Sequence, residues 1–581
     1  MPSVPFSRLL ARVPSPPLLG VLPLRRPVIS GELLVVLVSV MFTLLYNGAF
    51  WQGVVSAQQL DWLHWFGYGV LVTGIQAFFM LLIAVPGGVK PVLMVLAATA
   101  AAVSYFTGHY GTYFDAEMID NLVQTDHREA AELLTAGFVR HVLLFGAVPA
   151  VLVWPVEMPR VRWRRALVRR LAWLAATLAM VILALLLSYQ SFSSLMRNDR
   201  SLRHLVTPGN VIAAGLRNLA RAEPTPTRPI PVGEDARLIP HGGDKPLLLV
   251  LVVGETVRAD HWGLNGYPRQ TTPKLAHRDL VNFPQGSSCG TSTAVSVPCM
   301  FSSTGKDNYD RHYVASHESL LDVLHHAGME VTWIDNQGGC KGVCRGVEYR
   351  HVLAADHPAE CSDGVCRDQV LVSELARQLA RDAKNAARDR VLVLHQMGNH
   401  GPSYFQRYPD TFRKFIPTCD DADLNRCSRD QIVNSYDNAI LYTDTVLDGV
   451  IEVLARQSTY AASLLYLSDH GESLGERGLY LHGLPYAIAP EQQTRVPMVW
   501  WSSRDFDRET ALDKSCLREA SSQPLSHDNL FDTVLGVLGV ATATYRPQLD
   551  VSAAARHAQS GCQGMARAAS PLAIARELSD A

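Results

Sequence analysis

The chain has almost no net charge, and it contains no cysteine before Cys289. Its 52 lysines and arginines nearly balance its 54 aspartates and glutamates, which leaves a formal charge of −2 at pH 7. Because a protein that binds nucleic acid normally shows a basic domain, this balance argues against nucleic acid as a partner. The sequence also shows no internal repeat. Its length of 581 residues is enough for several domains, each with its own core.

The first third of the chain is strongly apolar, and five of its runs are long enough to span a bilayer. A membrane span needs about 20 mostly apolar residues. Five such runs so close together do not fit a soluble core, and we therefore predict a membrane domain of five helices. No clear cleavage site follows the first run, so we expect it to be an anchor and not a removed signal peptide. The runs cover residues 31–51, 65–85, 91–107, 138–156 and 171–189.

Basic residues indicate how this membrane domain is oriented. Several arginines precede the first run, the loop after the fourth run reads MPRVRWRRALVRR, and Lys90 lies between the second and third runs. The positive-inside rule places all three segments on the cytoplasmic side. Residues 1–30 are then a cytoplasmic extension, and five crossings put everything after about residue 190 on the opposite side of the membrane.

All the cysteines fall in the part that is predicted to lie outside the cytoplasm, and most of them form near pairs in sequence. In an oxidising compartment such pairs predict disulfides. A zinc ribbon is the alternative for CKGVC, but the spacings are irregular and two CxxC knuckles are absent. The predicted pairs are Cys289–Cys299, Cys340–Cys344, Cys361–Cys366 and Cys419–Cys427, with Cys516 and Cys562 left over.

Residues 190–244 are predicted to be a linker between the membrane domain and a second domain. Repeated proline with glycine toward its end excludes a continuous helix. Within it, PGNVIAAGLRNLARA has helical apolar spacing with arginine on its polar side, which predicts an amphipathic helix on the membrane surface. At the other end of the chain, residues 553–581 are rich in alanine, serine and arginine and are expected to be a loosely held tail.

Residues 245–552 alternate short apolar runs with helical patterns. The runs are PLLLVLVVGE, EVTWIDN, RVLVLHQMG, SLLYLSDHG and RVPMVWWSS. This alternation predicts an α/β domain with a mainly parallel sheet covered by helices, in which ligands bind beyond the carboxyl ends of the strands. Each run except the last ends in residues suited to chemistry: Glu255, Asp335, His395 with His400, and Asp469 with His470.

A metal site is the interpretation that best fits Glu255, Asp469 and His470. A glutamate, an aspartate and a histidine at adjacent strand ends suit a divalent cation, with zinc as the leading choice. The alternative is that the two carboxylates cap helices or form ion pairs. The hydroxyl-rich stretch SSCGTSTAVSVPCMFS could supply a nucleophile, because coordination to a metal lowers the pKa of a hydroxyl. A helix start there would also favour an incoming phosphate.

Several long motifs carry a resemblance to a known family. They are VVGETVRADHWGLNGYPRQTTP, SCGTSTAVSVPCMFS, DNQGGCKGVC, GNHGPSYFQRYP, NSYDNAILYTD and LSDHGESLGERGLYLHGLPYA. Together they resemble the lipid A phosphoethanolamine transferases, which belong to the alkaline phosphatase/sulfatase-like hydrolases and include the mobile colistin-resistance enzymes. The resemblance extends from the first membrane run to about residue 550. It implies an inner-membrane protein with its catalytic domain in the periplasm.

The resemblance also implies catalytic roles. Thr293, the second threonine of CGTST, corresponds to the nucleophile that carries phosphoethanolamine in a covalent intermediate. His400 and His482 correspond to histidines that contact the phosphoryl group and could hold a second zinc ion, and Lys341 to a residue near the bound phosphoethanolamine. The residues that correspond to the zinc ligands are Glu255, Thr293, Asp469 and His470.

The polar loop between the third and fourth runs is the remaining candidate. In MIDNLVQTDHREAAELL, Asn121, Thr125 and Glu129 follow one another at four-residue steps, which predicts one face of a helix. A solvated polar face is the alternative. The predicted topology puts this loop on the side of the active site, however, and the family uses matching residues to hold the ethanolamine group. A carboxylate would suit its ammonium.

The resemblance finally implies a reaction in two displacements. Phosphatidylethanolamine gives its phosphoethanolamine group to Thr293 and releases diacylglycerol, and a lipid A phosphate then takes the group. This lowers the negative charge of the outer membrane and gives resistance to polymyxin and colistin. Transfer to a core sugar of lipopolysaccharide and a catalytically silent membrane sensor are the alternatives. We expect the protein to be a monomer.

Overall fold

The computed structural model describes residues 26–556 together with Cys562, with several short gaps. Of the predicted extension 1–30, residues 1–25 lie outside the described part, as does most of the predicted tail after residue 556. The gaps are residues 58–60, 85–87, 126, 199, 222–225, 227, 363–364 and 383–387.

The described part of the first 221 residues is helical. A π-helical turn, Leu143–Ala147, joins α7 and α8 into one helix. Among the described residues, α3, α4, the joined α7–α8 and the first 27 residues of α9 are long and apolar enough to cross a membrane. The helices are α1 (Gly31–Leu45), α2 (Gly48–Ala57), α3 (Trp62–Ile83), α4 (Val89–Tyr110), α5 (Ala116–Gln124), α6 (His127–Glu132), α7 (Ala136–Val142), α8 (Val148–Val153), α9 (Trp163–Asn198) and α10 (Gly209–Arg221).

The first predicted span is bent. Helices α1 and α2 meet at an angle of 56°, and the predicted total of five spans holds when this pair counts as one. The buried side chain of Asn47 lies at the bend, where its Nδ2 donates to the carbonyls of Phe42 (2.8 Å) and Thr207 (2.9 Å). Its Oδ1 accepts a hydrogen bond from the Thr207 amide (2.8 Å). The side chain therefore pairs backbone groups that a break in a buried helix would otherwise leave without partners.

The basic segments meet at one end of the membrane domain, as the orientation argument requires. Val28 pairs with Glu157, and Lys90 Nζ donates to the carbonyl of Trp154 (2.8 Å). Helix α9 begins within the arginine-rich loop and continues to Asn198, past the boundary at 189 that the apolar run indicated. The helix therefore extends beyond the membrane-spanning stretch into the segment predicted as linker.

The second half of the chain is built on a sheet of eight strands in the order β13-β3-β12-β9-β2-β8-β4-β5. Strands β9, β2, β8, β4 and β5 are parallel neighbours, whereas β12 is antiparallel to both β9 and β3. The strands are β1 (Arg237–Leu238), β2 (Leu247–Gly254), β3 (Leu280–Ser287), β4 (Glu330–Asp335), β5 (Glu348–His351), β6 (Cys361–Ser362), β7 (Val365–Cys366), β8 (Arg390–His395), β9 (Ala461–Ser468), β10 (Ser473–Leu474), β11 (Tyr480–Leu481), β12 (Arg495–Ser502), β13 (Leu525–Ser526) and β14 (Val540–Ala541).

Helices cover both faces of this sheet. Along β2, Leu248 and Val250 belong to one hydrophobic core with α14 and α15, while Leu249 and Leu251 belong to a second core with α13 and α19. A strand that is buried on both faces reads as a continuous apolar run, so the predicted α/β domain with a mainly parallel, helix-covered sheet is confirmed. The helices are α11 (Thr293–Met300), α12 (Arg311–Ser316), α13 (Leu320–His326), α14 (Gln369–Asp382), α15 (Arg429–Arg456), α16 (Glu491–Thr494), α17 (Arg504–Glu509), α18 (Lys514–Ala520), α19 (Asp528–Val537) and α20 (Ala553–Arg556).

The direction of strand β12, formed by the run RVPMVWWSS, explains why this run alone does not end in candidate catalytic residues. It runs against β9, so its carboxyl end lies at the opposite edge of the sheet from the ends of β2 and β9.

The predicted amphipathic helix is α10, which packs on the helix that follows the third span. Asn218 Nδ2 donates to the carbonyl of Ala116 (3.1 Å) and to Asp120 Oδ1 (2.8 Å), both in α5. Leu216 and Leu219 of α10 are exposed, as apolar side chains facing a bilayer surface would be. The position of α10 on the membrane surface stays a prediction.

Candidate active site

Two neighbouring parallel strands place a pair of carboxylates side by side. Gly254, the last residue of β2, is in register with Ser468, the last residue of β9. Glu255 and Asp469 follow directly, and the Asp469 amide donates to the Gly254 carbonyl (2.9 Å). Both carboxylates are fully buried. The sheet therefore brings together two acidic groups that lie more than 200 positions apart in the sequence.

Thr293 opens helix α11 and points its hydroxyl at this acidic pair. Its Oγ1 donates to Glu255 Oε2 (2.9 Å) and lies 3.4 Å from His470 Nε2. Ser292 is the N-cap residue but makes no side-chain capping bond. Because the first N–H groups of a helix have no partner within the helix, the hydroxyl lies beside donors that favour an anion.

The buried carboxylates of Glu255 and Asp469 create a negative electrostatic potential that favours a bound cation or a proton. Burial and the charge of Glu255 raise the pKa of Asp469 to about 7. Burial alone would lower the pKa of His470, but Asp469 and Glu255 raise it to about 10. Two acidic groups in a dry environment are stable together only when a proton or a cation accompanies them.

The same residues fit a zinc ion. Ligand atoms of Glu255, Asp469 and His470 all lie within 4.8 Å of one another. His470 Nδ1 bonds to the carbonyl of Gly471 (2.9 Å), which leaves Nε2 facing the two carboxylates. Asp469 Oδ2 is buried without a hydrogen-bond partner among the described residues. A glutamate, an aspartate, a histidine and a nearby hydroxyl form a donor set that zinc accepts.

Two further histidines lie next to the acidic pair. The ring of His482 lies 4.3 Å from that of His470 and 5.5 Å from that of His400, measured between ring centroids. His482 Nδ1 bonds to Glu472 Oε2 (3.0 Å), and Tyr404 donates to Glu472 Oε1 (3.0 Å). The Glu472 bond fixes the ring, and Nε2 forms no hydrogen bond with any residue that the structure describes.

Glu129 from the membrane domain reaches the same site. Its Oε2 lies 3.7 Å from His400 Nε2. Gln337 Nε2 donates to Glu129 Oε1 (3.2 Å) and to Glu255 Oε2 (3.3 Å), so one amide joins the membrane-domain carboxylate to the strand-end carboxylate. The site therefore lies where the two halves of the chain meet.

The prediction that Asn121, Thr125 and Glu129 share one helix face is wrong. Helix α5 ends before Thr125, which adopts an extended conformation, and Glu129 belongs to the separate helix α6. The Thr125 hydroxyl bonds back to the Asn121 carbonyl (2.7 Å), as a threonine that competes with the helical backbone does. Lys341 Nζ donates to the carbonyls of Gln124 (3.5 Å), at the end of α5, and Gly338 (3.0 Å).

Not every predicted strand-end residue joins the cluster. His395 Nδ1 and Asp335 Oδ1 are 2.8 Å apart, so these two residues pair with each other. Although burial works in the opposite direction, this bond lowers the pKa of Asp335 to about 2. Asp335 Oδ2 also accepts the Gly339 amide (2.9 Å), which anchors the loop that carries Lys341. Their role is to support that loop.

Sequence reasoning missed Gln337, Glu472 and Tyr404. Gln337 and Tyr404 lie inside motifs that were recognised, and Glu472 stands two positions after His470. The only signal was their place within those motifs, since nothing in their spacing shows which side chains they contact.

The structure contains the four predicted disulfides and a fifth, Cys516–Cys562. The Cys289–Cys299 bond joins the strand end before Thr293 to the last turn of α11. Replacing both cysteines by serine is expected to lower the free energy of unfolding by about 2–3 kcal/mol, because the loop they close becomes free in the unfolded chain. Denaturant unfolding measures this change.

Peptide mapping without reduction tests the pairing itself. It should link each of the five pairs, and free thiols at these positions in membrane-inserted protein would contradict both the pairing and the orientation. For the unfolding measurement, the control for a general loss of stability is the double serine variant at Cys419 and Cys427, whose disulfide closes a loop of similar length.

Two family models match the chain, one to each half. The sulfatase model matches residues 248–540, and the model described as phosphoethanolamine transferase EptA/EptB matches residues 72–222. The chain is 37% identical over 537 residues to phosphoethanolamine transferase EptA of Escherichia coli K12, an alignment that covers 91% of this chain and 97% of the relative. It is 39% identical over 464 residues to phosphatidylethanolamine transferase Mcr-1 of Escherichia coli, an alignment that covers 78% of this chain and 84% of the relative.

A solved membrane-protein structure has the same architecture. The integral membrane protein lipooligosaccharide phosphoethanolamine transferase A from Neisseria meningitidis superposes with a TM-score of 0.87 at 38% identity, covering 91% of this chain and 100% of that one. The fold and the site thus define a sulfatase-like enzyme attached to a membrane domain. The chain belongs to the phosphoethanolamine transferase family. It is a transferase of the inner membrane with its catalytic domain in the periplasm.

Proposed function

We propose that the protein transfers phosphoethanolamine from phosphatidylethanolamine to a phosphate of lipid A through a covalent intermediate on Thr293. The observation that carries the proposal is the Thr293 hydroxyl, held 2.9 Å from Glu255 and 3.4 Å from His470 at the start of a helix. We also propose that the protein works as a monomer.

In the first displacement, Thr293 Oγ1 forms a bond to the phosphorus of phosphatidylethanolamine. The bond between phosphorus and the diacylglycerol oxygen breaks, and Glu255, which already accepts the hydroxyl hydrogen bond, takes the threonine proton. His482, held by Glu472, is placed to give a proton to the leaving diacylglycerol oxygen. Glu129, with Asn121, Thr125 and Lys341 around the same opening, binds the phosphoethanolamine group.

In the second displacement, an oxygen of a lipid A phosphate bonds to the same phosphorus and the bond to Thr293 Oγ1 breaks. The threonine recovers its proton from Glu255, and His482 takes a proton from the acceptor phosphate, so the enzyme is regenerated. The product carries an added ammonium group, which lowers the negative charge of the outer membrane and reduces its attraction for cationic polymyxins such as colistin. His400 lies on the side of the site that faces Glu129 and contacts the transferring phosphoryl group.

We propose a single zinc ion held by Glu255, Asp469, His470 and Thr293. When bound, it would lower the pKa of the threonine hydroxyl and offset negative charge on the phosphoryl oxygens. His400 and His482 lie beside these residues, and we propose that they contact the phosphate.

Removal of zinc is expected to abolish transfer, and re-addition should restore it. Because zinc binds the folded chain only, it should also raise the free energy of unfolding by about 3 kcal/mol at roughly 100 times its dissociation constant. Metal analysis should give about one zinc per chain. The zinc content should fall in Asp469→Asn but not in the control Asp448→Asn, because the Asp448 carboxylate pairs with Arg278 (2.6 Å) and is not a proposed ligand. Full activity in zinc-free protein would refute the proposal.

Mass spectrometry of lipid A from cells with and without the protein tests the acceptor. We expect a phosphoethanolamine increment on lipid A phosphates only when the protein is present and Thr293 is intact. An increment on the core sugars would favour the core-modifying alternative. If neither lipid A nor the core sugars gain the increment, the catalytically silent sensor is the remaining alternative. The complete set of zinc-ligand residues argues against that alternative.

A further inference from the structure

A cavity of about 1050 Å³ lies between the membrane domain and the periplasmic domain, apart from the site around Thr293. Its membrane side is formed by the periplasmic ends of α4 and α7, with His109, Arg140 and His141 among the lining residues. Its other side is formed by the loop around residues 403–426 of the catalytic domain. Its volume is at the upper end of what small-ligand pockets show, which suits a large ligand.

Arg140 is the unusual residue of this cavity. It lies within the stretch Ala136–Val153, which is long and apolar enough to cross a membrane. Its guanidinium forms no hydrogen bond or ion pair with any residue in the described part of the chain. It is the fifth residue of that stretch, near its periplasmic end, and it is exposed, so a ligand can reach it.

The acidic residues of the cavity already have partners. Glu132 accepts two hydrogen bonds from Arg407 Nη2, at 2.9 and 2.7 Å. Asp421 pairs with Arg426 (2.6 Å), and Asp423 Oδ1 accepts from Asn425 Nδ2 (3.1 Å). The neutral amide of Asn425 does not balance the charge of Asp423, but among the cationic side chains of this cavity Arg140 forms no ion pair with the described residues, and an anionic group complements it.

Two histidines lie beside Arg140 in the lining of this cavity. His109 Nδ1 is engaged by the carbonyl of Tyr105 (2.9 Å), and His141 Nε2 lies 3.1 Å from the hydroxyl of Ser104. Below them, Leu144 and Phe145 continue the same wall into the membrane-spanning stretch. A guanidinium above an apolar wall matches a phosphate attached to acyl chains.

The cavity is connected to the active site through one ion pair. Arg407, which holds Glu132, also donates from Nε to the carbonyl of His400 (2.7 Å). Helix α6 separates the two spaces, since Glu129 faces His400 while Glu132 lines the cavity. A lipid in the cavity would thus be separated from the active site by one short helix.

We propose that this cavity binds the acceptor, a lipid with two phosphates, and that Arg140 contacts one phosphate while the other takes the group from Thr293 in the second displacement. This inference rests on the proposed function, whose second displacement brings an acceptor phosphate to the position that the diacylglycerol oxygen has left. Arg140 is a binding residue for the acceptor and takes no part in forming the covalent intermediate.

The test separates the two displacements in the full-length enzyme. Arg140→Ala is expected to slow transfer from the Thr293 adduct to diphosphorylated lipid A by about 10- to 100-fold, the effect of losing a hydrogen bond to a charged group. The loss should appear mainly in KM for lipid A, and Arg140→Lys should recover part of it. Formation of the adduct from phosphatidylethanolamine should change far less. Arg217→Ala, which removes an exposed arginine of α10, is the control for general attraction to an anionic membrane.

Direct binding gives a second readout that does not depend on the chemistry. Diphosphorylated lipid A should bind about tenfold more weakly to Arg140→Ala than to the wild-type protein, whereas dephosphorylated lipid A and phosphatidylethanolamine should bind both equally. Equal losses in both displacements, or unchanged lipid A binding, would overturn the inference. If the wild-type enzyme forms no adduct on Thr293, the proposed function fails instead, and the binding comparison still decides the role of the cavity.

Discussion

Replacing Thr293 by alanine is expected to lower the transfer rate by about 10⁴-fold or more, while the protein still folds and inserts into the membrane. Loss of a residue that forms the covalent bond removes the whole reaction path and not just one contact. In the wild-type enzyme, rapid quenching with phosphatidylethanolamine followed by digestion should give a phosphoethanolamine mass increment on the peptide that contains Thr293.

The neighbouring hydroxyls provide matched controls for this result. The Thr291 hydroxyl donates to the carbonyl of Leu484 (2.6 Å), and the Ser292 side chain makes no capping bond, so neither is directed at Glu255. Ser292→Ala should therefore retain most of the activity and the adduct. Fragmentation that places the increment on Thr291 or Ser292 would show that the nucleophile has been assigned to the wrong residue.

The part of the site that lies on consecutive strand ends could be predicted from sequence. Buried parallel strands read as continuous apolar runs, and their carboxyl ends share one edge, so Glu255, Asp469 and His470 were brought together by pattern alone. The same reasoning also selected Asp335 and His395, which instead bond to each other. Strand order decides between these outcomes, and a sequence pattern does not contain strand order.

Contacts between distant segments could not be predicted. Gln337 hydrogen-bonds to both Glu129, which lies between the third and fourth spans, and Glu255, which follows β2. No sequence feature of these three segments indicates that they meet. The bend at Asn47 likewise depends on Thr207, 160 positions away. The prediction also failed locally at Thr125. The four-residue spacing indicated one continuous helix, but helix α5 ends before Thr125, whose hydroxyl bonds to the Asn121 carbonyl.

Glu129 gives the sharpest test of why a membrane domain belongs to this enzyme. Its carboxylate is buried at the opening of the site, 3.2 Å from Gln337 and 3.7 Å from His400. A partly dehydrated carboxylate attracts an ammonium group far more strongly than one in water. We therefore expect Glu129→Gln, which keeps the shape and an acceptor oxygen, to slow transfer from phosphatidylethanolamine by about 10- to 100-fold, since a hydrogen bond between charged groups contributes about 1.5–3 kcal/mol.

The comparison that isolates this charge uses two soluble phosphodiesters that differ only in the ammonium group, one an ester of phosphoethanolamine and the other of phosphoethanol. The wild-type enzyme should cleave the first faster, and Glu129→Gln should reduce that preference while leaving cleavage of the phosphoethanol ester nearly unchanged. Zinc content should stay the same, because Glu129 is not among the residues proposed to hold the ion. If both esters lose activity equally, Glu129 supports the position of Gln337 and His400 and does not bind the headgroup, and the ethanolamine group must be recognised elsewhere.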